Sequence, residues 1–371
     1  MKQTENALQE SDGHSSQVIA YLIIFYIALI AYVSLSPFKG WQIPATEPWA
    51  FLTSGWPRYF TRFDLAINFL AYLPFGLLLY AYQAPRATRT RALIISAAAG
   101  ILLSLAMEVS QGFLRDRISS NLDFLCNSVG CLVGALLSAW LGRNTNVQTL
   151  FRSWRNELFF PGVIIDVGLA LLCVWLISQL NPSIPIFGAG VVSETTRNYD
   201  EGYAYQPPPD APFALGTALN FCGLGLLVTT LMRVRSHALV FVQVLTGLAF
   251  CFKLIGAYGL LRPEVAAEWH SNETLTGLAI GFVALLPLSF LRLNHRIYLA
   301  AVLILAGGLL SKMAGNYSPL ADVMRLFDWP YGQLLQFTGL TLYLNEIWPI
   351  IALVFLFWYW MRQQVIEFTR L

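Results

Sequence analysis

Three apolar segments between residues 64 and 134 carry their polar residues at matching ends. They read DLAINFLAYLPFG over residues 64–76, MEVSQ over residues 107–111 and NLDFLCNSVGCLVG over residues 121–134. Carboxylates and amides are costly to place beside hydrocarbon, so a group of them at one depth in apolar helices is expected to be functional. The polar residues stand at the start of the first and third segments and at the end of the second. Because consecutive membrane helices run in opposite directions, this order predicts a helix bundle with a polar cluster at one end.

The whole chain has the composition of a membrane protein. Of its 371 residues, 56% are hydrophobic and 12% are charged, and the apolar residues come in blocks of about 20, the length that crosses a bilayer. This pattern excludes a soluble domain. The net charge of +2 is too small to indicate a nucleic-acid partner. We therefore predict an all-α, polytopic transmembrane helix bundle.

Apolar segments along the chain predict about 10 transmembrane helices. An even number of spans places both termini on the same side of the membrane, and if residues 331–348 also crossed, the count would be eleven and the C-terminus would lie on the opposite side. The predicted spans are residues 18–36, 65–83, 92–111, 122–141, 162–180, 213–232, 238–261, 273–291, 297–314 and 347–361.

Arginines mark the loops that are expected to face the cytoplasm. The short loops after the second, fourth, sixth and eighth spans are rich in arginine and hold a single acid, Glu157. This is the positive-inside pattern, and it places both termini in the cytoplasm. The other loops are longer and hold most of the acids. The polar cluster of residues 64–134 is therefore expected at the outer face of the membrane.

We divide the chain at residue 143. Residues 1–17 are predicted to form a polar tail, residues 18–142 a four-helix membrane domain and residues 143–371 a C-terminal membrane domain of about six helices. Within the latter, the Pro-, Gly- and Tyr-rich residues 181–212 predict an extracytoplasmic loop. Residues 318–346 predict an interfacial or re-entrant segment.

No residue pattern indicates a cofactor or a metal site. The five cysteines lie in apolar segments without CxxC pairs and are expected to pack as small apolar residues. Glu264, Glu268 and His270 have a spacing that a metal could use, but a solvated acidic loop explains them more simply. Phosphate-binding, zinc-protease, serine-hydrolase and dinucleotide-binding motifs are absent from the sequence. We expect no cofactor.

Eight polar residues at the outer ends of the three segments form the candidate site. Spacings of three or four residues put the polar residues of each segment on one helix face. Small residues on the same faces, among them Gly130 and Gly134, indicate that these faces also pack against other helices, so Glu108 is expected to point into the bundle. The candidate catalytic residues are the three carboxylates, Asp64, Glu108 and Asp123. The candidate ligand-binding residues are Asn68, Gln111, Arg115, Arg117 and Asn127.

A structural role for the same residues is open as well. Residues 61–64 (TRFD) and 120–123 (SNLD) have the pattern of capping boxes that open helices, where acids are favourable. Glu108 would then pair with Arg115 or Arg117 and hold the tight loop that joins their segments. Because Glu108 lies deeper in an apolar segment than either aspartate, we expect it to be functional.

These residues resemble the VanZ-like family, which is named for a protein of glycopeptide (teicoplanin) resistance. The resemblance implies a multi-pass protein of the bacterial plasma (inner) membrane that belongs to the cell envelope and is connected with antibiotic resistance. It implies no particular reaction. It covers about residues 20–142 and is carried by Asp64, Asn68-Phe69, Pro74-Phe75-Gly76, Glu108, Gln111, Arg117, Asp123, Asn127, Gly130 and Gly134.

The function that we favour is binding or handling of an amphiphilic envelope molecule at an outer-leaflet polar site. The arginines would bind a phosphate or carboxylate of the headgroup, and the amides would supply hydrogen bonds. A membrane lipid or a lipid-linked precursor or glycolipid is therefore the expected partner. Protein partners are not indicated by the sequence.

A second hypothesis is a membrane-embedded transferase or hydrolase that acts on a polyprenyl- or phospholipid-linked substrate. Glu108 would be the general base, and Asp64 or Asp123 would orient the attacking group.

A third hypothesis is a transporter or flippase. It would be favoured if Lys253, in the middle of the seventh span, faced a cavity. It would also be favoured if Asn220-Phe221, which echoes Asn68-Phe69, marked an internal repeat.

Overall fold

A computed structural model shows the chain as a bundle of α-helices. It describes residues 2–35, 38, 40–44, 46–57, 60, 62–115, 117–182, 184–187, 210–260, 272–314 and 334–368. Within these residues there are eleven α-helices and no strand. They are α1 (Lys2–Leu35), α2 (Arg62–Gln83), α3 (Arg89–Gln111), α4 (Asn121–Arg143), α5 (Thr145–Leu158), α6 (Val163–Ser178), α7 (Asp210–Leu231), α8 (Arg235–Leu260), α9 (Asn272–Leu288), α10 (Leu293–Ala314) and α11 (Leu334–Phe368).

Each of the ten predicted spans overlaps one of ten described helices, so the prediction of an all-α membrane bundle is confirmed. The number of spans and the side of the termini stay predictions. Among the described residues, seven helical segments are long and apolar enough to cross a membrane: Asp64–Gln83, Arg89–Gln111, Asn121–Arg143, Ala211–Leu231, Arg235–Gly259, Leu293–Ser311 and Thr341–Gln364. Three apolar segments are shorter: Ile19–Leu35, Val163–Ser178 and Asn272–Leu288.

Helix α5 was not expected from the sequence. It is short and amphipathic, and its apolar side chains Leu150 and Trp154 are exposed. A search for long apolar blocks does not detect such a helix, because its apolar residues form a stripe at a spacing of three or four and not a continuous run.

The first and last helices are longer than predicted. Helix α1 begins at Lys2, so residues 2–17, expected as a polar tail, are helical. Helix α11 runs unbroken from Leu334 to Phe368, so residues 334–346 continue into the last span as one helix. Most of the expected extracytoplasmic loop and the rest of the expected interfacial segment lie outside the described residues, as do Glu264, Glu268 and His270.

The chain divides into two compact units. The first comprises Met1–Phe151 and Trp329–Gln336, and the second comprises Arg152–Asp328 and Phe337–Leu371. In the first unit α2 packs most extensively against α4, while α3 packs against both and α1 lies against α2 and α3. In the second unit α7 packs against α9 and α10.

Glycines let α2 and α4 meet backbone to backbone. A Cβ atom on Gly130 would lie 2.1 Å from the carbonyl oxygen of Phe69, and one on Gly134 would lie 2.0 Å from that of Leu73. On the opposite helix, a Cβ on Gly76 would lie 1.9 Å from a carbonyl oxygen of α4. A larger side chain at these positions has no room, which is the close packing that the small residues predicted.

Candidate functional site

The loop after α1 covers the first turn of α4. The backbone N–H of Arg115, in the loop between α3 and α4, donates to the carbonyl of Gly40 at 3.0 Å. The side-chain amide of Asn121 donates to the carbonyl of Ser54 at 2.9 Å. Phe51 is buried in the same loop. These contacts hold the two loops together at the end of the bundle where the predicted site residues lie.

Glu108 is buried in the last turn of α3, with 2% of its surface exposed. Its Oε2 accepts a hydrogen bond from the backbone N–H of Ser120 at 2.8 Å. Its own carbonyl accepts from the hydroxyl of Ser119 at 2.6 Å. Asp123 and Arg117 lie near enough to the carboxyl group to interact with it electrostatically. Glu108 therefore fastens the loop between α3 and α4 and also faces a second carboxylate.

Asp123 links α4 to α2. Its Oδ1 accepts from the side-chain amide of Asn68 at 2.7 Å. The N-cap of α4 is Ser120, whose hydroxyl accepts from the backbone N–H groups of Leu122 and Asp123. In a full capping box the Asp123 carboxylate would take the N–H of Ser120, but Glu108 takes it instead. The capping interpretation is therefore correct for Ser120, while the carboxylate of Asp123 holds the neighbouring helix.

The other predicted residues are placed at different distances from this pair of carboxylates. Arg117 is half-buried beside Glu108, whereas Arg115 is exposed. Gln111 is buried, and its amide donates to the carbonyl of Ser34 at 3.0 Å, which ties α3 to α1. Asp64 is half-buried one turn before Asn68 on α2. The structure thus brings together Asn68, Glu108, Arg117 and Asp123.

Tyr72 belongs to the same cluster and was missed in the sequence. Only 3% of it is exposed, and it interacts electrostatically with Glu108. Its hydroxyl also interacts with the side chain of Ser104 on α3. The signal that points to it is its position four residues after Asn68, on the same helix face. This spacing is a weak signal, because a tyrosine in an apolar segment cannot be distinguished by sequence from the hydrophobic residues around it.

Lys253, a buried cation of the second unit, is bound by the backbone. It is fully buried in α8, and its Nζ donates to the carbonyls of Asn181 at 2.5 Å and Ile184 at 2.6 Å. Those carbonyls lie in the loop that follows α6, which ends at Ser178. Gly256, one turn further along α8, gives the backbone of Leu180 room to approach. Lys253 therefore holds the loop after α6 against α8.

A cavity of about 20 Å³ lies in the second unit beside Asn220 and Asn345, and Lys253 does not line it. This volume holds about one water molecule. The amide of Asn220, on α7, donates to the hydroxyl of Ser311, on α10, at 3.2 Å. Asn68 instead contacts α4, so the echo between Asn68 and Asn220 does not extend to equivalent helix contacts.

Metal-ligating side chains do not cluster in the part of the chain that the structure describes. No group of three or more His, Cys, Asp or Glu residues there is arranged to hold a metal ion. The polar cluster of the first unit is therefore described by hydrogen bonds and charges alone.

Comparison with known proteins finds a family similar to the N-terminal part of the chain. Residues 3–142 match the model of the VanZ/LLP1 family, so the match begins earlier than the expected residue 20 and ends where expected. It contains every residue of the candidate site. No curated protein and no solved structure matches the chain. Over residues 3–142, this multi-pass membrane protein is similar to the VanZ-like family.

Proposed function

We propose that the protein binds or handles an amphiphilic envelope molecule, a lipid-linked precursor or a glycolipid, at the cluster of Asn68, Glu108, Arg117 and Asp123. The observation that supports this most directly is the pair of neighbouring carboxylates at the end of an apolar helix bundle. Asp123 is held by Asn68 at 2.7 Å and Glu108 by a backbone N–H at 2.8 Å. In the positive-inside orientation this end faces the outer leaflet.

The chemistry of the cluster suits a polar headgroup that carries hydroxyl groups and a phosphate. Carboxylates and amides accept and donate hydrogen bonds to hydroxyl groups. The guanidinium groups of Arg115, exposed, and Arg117, half-buried, suit a phosphate or carboxylate nearer to solvent.

The surface around the cluster suits the hydrocarbon part of such a molecule. Large apolar side chains are exposed on all three helices that carry the site: Leu70 on α2, Ile94 and Leu102 on α3 and Leu125 on α4. An acyl or polyprenyl chain lying in the bilayer would contact these faces while its headgroup reached the helix ends. Location in the bacterial inner membrane and a role in the envelope belong to the same proposal.

Photo-crosslinking with a lipid in the outer leaflet tests this function. The full chain is placed in phosphatidylcholine vesicles, and photoactivatable phosphatidylglycerol is added from outside. We expect labelling of peptides around residues 62–72 and 108–127, and a strong reduction in Glu108→Gln. The matched control is Asp166→Asn, which changes a carboxylate of the second unit whose side chain is 60% exposed. Labelling confined to residues 84–91, or labelling that Glu108→Gln leaves unchanged, contradicts the proposal.

The electrostatic contact between Glu108 and Asp123 favours a membrane-embedded transferase or hydrolase as the second candidate. Two neighbouring carboxylates allow one to accept a proton while the other orients the attacking group. Product formation from a phospholipid or polyprenyl phosphate by the purified chain would support it, with loss of product in Glu108→Gln. Turnover that persists in Glu108→Gln removes Glu108 as the base.

A transporter gains no support from Lys253. Its ammonium contacts backbone carbonyls and does not line the cavity beside Asn220.

A further inference from the structure

Both ends of the short helix α5 lie at the ends of membrane helices. Its first residue, Thr145, follows the last residue of α4, Arg143, after one intervening residue. At its other end, the carbonyl of Leu158 accepts a hydrogen bond from the backbone N–H of Arg233 at 2.9 Å, and Arg233 lies in the turn between α7 and α8. Helices α4, α7 and α8 each contain a segment that is long and apolar enough to cross a membrane. Both ends of α5 are therefore at the level of the membrane surface.

Apolar side chains are exposed on one face of α5. Leu150 and Trp154 are 50% and 58% exposed, and their spacing of four residues puts them on the same face. Thr149 and Asn156, which are also exposed, lie on the other side of the helix. An amphipathic helix with a tryptophan on its apolar face is typical of helices that lie in the headgroup region of a bilayer. Lipid is therefore the expected cover of this apolar face.

The end of α5 is held in place, so its exposed face has a fixed direction. The guanidinium of Arg155 donates to Oδ1 of Asp166 at 2.7 Å and to the carbonyl of Phe160 at 2.8 Å. Phe159, directly after the helix, is buried, and its ring meets that of Phe241 on α8 with 5.4 Å between the centroids. The exposed apolar face thus belongs to a helix that is packed at its end and not to a detached one.

Arginines flank α5 at both ends and give the region a positive charge. Arg143 is exposed before its first turn, and Arg233 and Arg235 are exposed beside its last turn. Residues 143–158 hold three arginines and a single acid, Glu157. Guanidinium groups bind phosphate groups well, and arginines near a membrane surface are attracted to anionic lipids. The charge of this region therefore complements a leaflet that contains anionic phospholipids.

A second tryptophan supports lipid as the partner over another protein. Trp140, in the last turn of α4, is 52% exposed. Tryptophan is enriched at the membrane–water interface, where its ring contacts apolar carbon and its N–H finds acceptors among the headgroups. Trp140 thus marks the interface at the point where α5 starts, and Trp154 continues that level along α5.

We propose that α5 lies in the headgroup region of the leaflet that its two ends reach, with Leu150 and Trp154 among the acyl chains and the flanking arginines on the phosphates of anionic phospholipids. By the positive-inside pattern this is the cytoplasmic leaflet. Asp123 stands in the first turn of α4 and Arg143 in its last turn. Because the two lie at opposite ends of α4, this lipid surface is separate from the candidate site and does not rest on the proposed function.

Collision rates of spin labels test which medium covers each face of α5. In the full chain with its five native cysteines replaced by alanine, a nitroxide is attached to Leu150→Cys or Trp154→Cys, and to the exposed controls Thr149→Cys and Asn156→Cys. The chain is placed in vesicles of phosphatidylcholine and phosphatidylglycerol. The first pair should collide with oxygen, which dissolves in hydrocarbon, and be shielded from a water-soluble nickel chelate, at about 5 to 10 Å below the headgroups. The control pair should collide mainly with the chelate.

The two reagents together distinguish lipid from the other possible surroundings. Ready collision of all four labels with the nickel chelate would show that α5 stands in water, which overturns the proposal. Shielding of the first pair from both oxygen and the chelate would show that protein covers this face, a second copy or another segment of the chain, and it overturns the proposal as well.

Lipid selectivity then tests the role of the arginines. A fluorophore on Leu150→Cys is quenched by phosphatidylglycerol or by phosphatidylcholine with brominated acyl chains, at equal mole fractions in the same mixture. Phosphatidylglycerol should quench more strongly, and Arg143→Gln should reduce this preference by up to about fivefold, the effect of one arginine near an anionic surface. The control is Arg62→Gln, an exposed arginine at the start of α2, which should leave the preference unchanged. Equal quenching by the two lipids, or a preference that Arg143→Gln does not alter, overturns the binding of anionic phospholipids.

Discussion

A buried carboxyl group in the first unit has charged side chains as well as a backbone N–H beside it, whereas a buried ammonium group in the second unit is held by backbone carbonyls. Glu108 has Asp123 and Arg117 within electrostatic reach, while Lys253 is held by the carbonyls of Asn181 and Ile184. An ionisable residue inside a membrane protein suggests function by default. The contacts of the residue distinguish the two cases. Lys253 binds carbonyls of the loop after α6 and has a structural role, whereas the side chains beside Glu108 offer groups that a ligand can bind.

Glycines bring helices close together in both units. In the first unit α2 and α4 touch through glycine and backbone oxygen at Gly130 and Gly134, and in the second unit a Cβ on Gly277 of α9 would lie 2.4 Å from the carbonyl oxygen of Ala214 on α7. The second unit also has a core of large side chains, in which the rings of Trp175, Phe187 and Phe221 lie in series with centroids 4.8 and 5.1 Å apart. The two units therefore share close helix packing, and the second adds a large apolar core.

The largest effect is expected where the first unit depends on glycine. Gly130→Leu and Gly134→Leu should each lower the free energy of unfolding by about 3 kcal/mol or more, because the atom opposite is a backbone oxygen that cannot move aside. The yield of folded protein, measured by size-exclusion chromatography, should decrease sharply. Gly142→Leu on the same helix is the control, since its Cβ would have no atom within 4 Å. Normal yield of the first two variants would show that α2 and α4 do not meet in this way.

The next largest effect is expected when the buried ammonium group of Lys253 is removed from the second unit. Lys253→Met keeps the length of the side chain but loses both hydrogen bonds to backbone carbonyls, which should cost about 2 to 3 kcal/mol of unfolding free energy. Lipid crosslinking to the first unit should be unchanged. Arg143→Gln, at an exposed position, serves as the control in thermal melting. If Lys253→Met melts normally but loses lipid crosslinking, the contrast between a structural Lys253 and a functional Glu108 is wrong.

A smaller effect on stability, with loss of function, is expected for Glu108→Gln. The amide oxygen of glutamine can still accept from the N–H of Ser120, so the free energy of unfolding should change by less than about 1 kcal/mol. The charge and the titratable proton are lost, and with them the envelope phenotype or the lipid crosslinking. A lowered melting temperature with a full phenotype would show that Glu108 only holds the loop.

Single cysteines map the side of the membrane without disturbing the fold. In a chain whose five native cysteines are replaced by alanine, Ile118→Cys should react with an impermeant maleimide from outside. Ala84→Cys should react only after the membrane is permeabilised. Both positions lie in exposed loops, the first between α3 and α4 and the second between α2 and α3. The reverse labelling would place Glu108 and Asp123 at the cytoplasmic face and remove the outer-leaflet part of the proposed function.

The sequence alone was sufficient to predict the features that depend on residues close together in the sequence. Apolar blocks of membrane length located ten helices, and the joint spacing of residues such as Asn68, Glu108 and Asp123 indicated the family that residues 3–142 match. The small residues of α3 and α4 identified the buried faces, because helical periodicity is a property of a few consecutive turns. The short helix α5 was missed since its apolar stripe is not a block.

Only the tertiary structure decided which groups are partners. Asn68 and Asp123 are 55 residues apart, and Lys253 lies 72 residues from the carbonyl of Asn181. Local pattern predicted that Asp123 would cap its own helix, but the N–H of Ser120 bonds to Glu108 from another helix. The place of Tyr72 in the cluster was also decided by helix packing. The depth and rotation at which two helices pack set the neighbours of each side chain, and the periodicity within one helix does not contain that information.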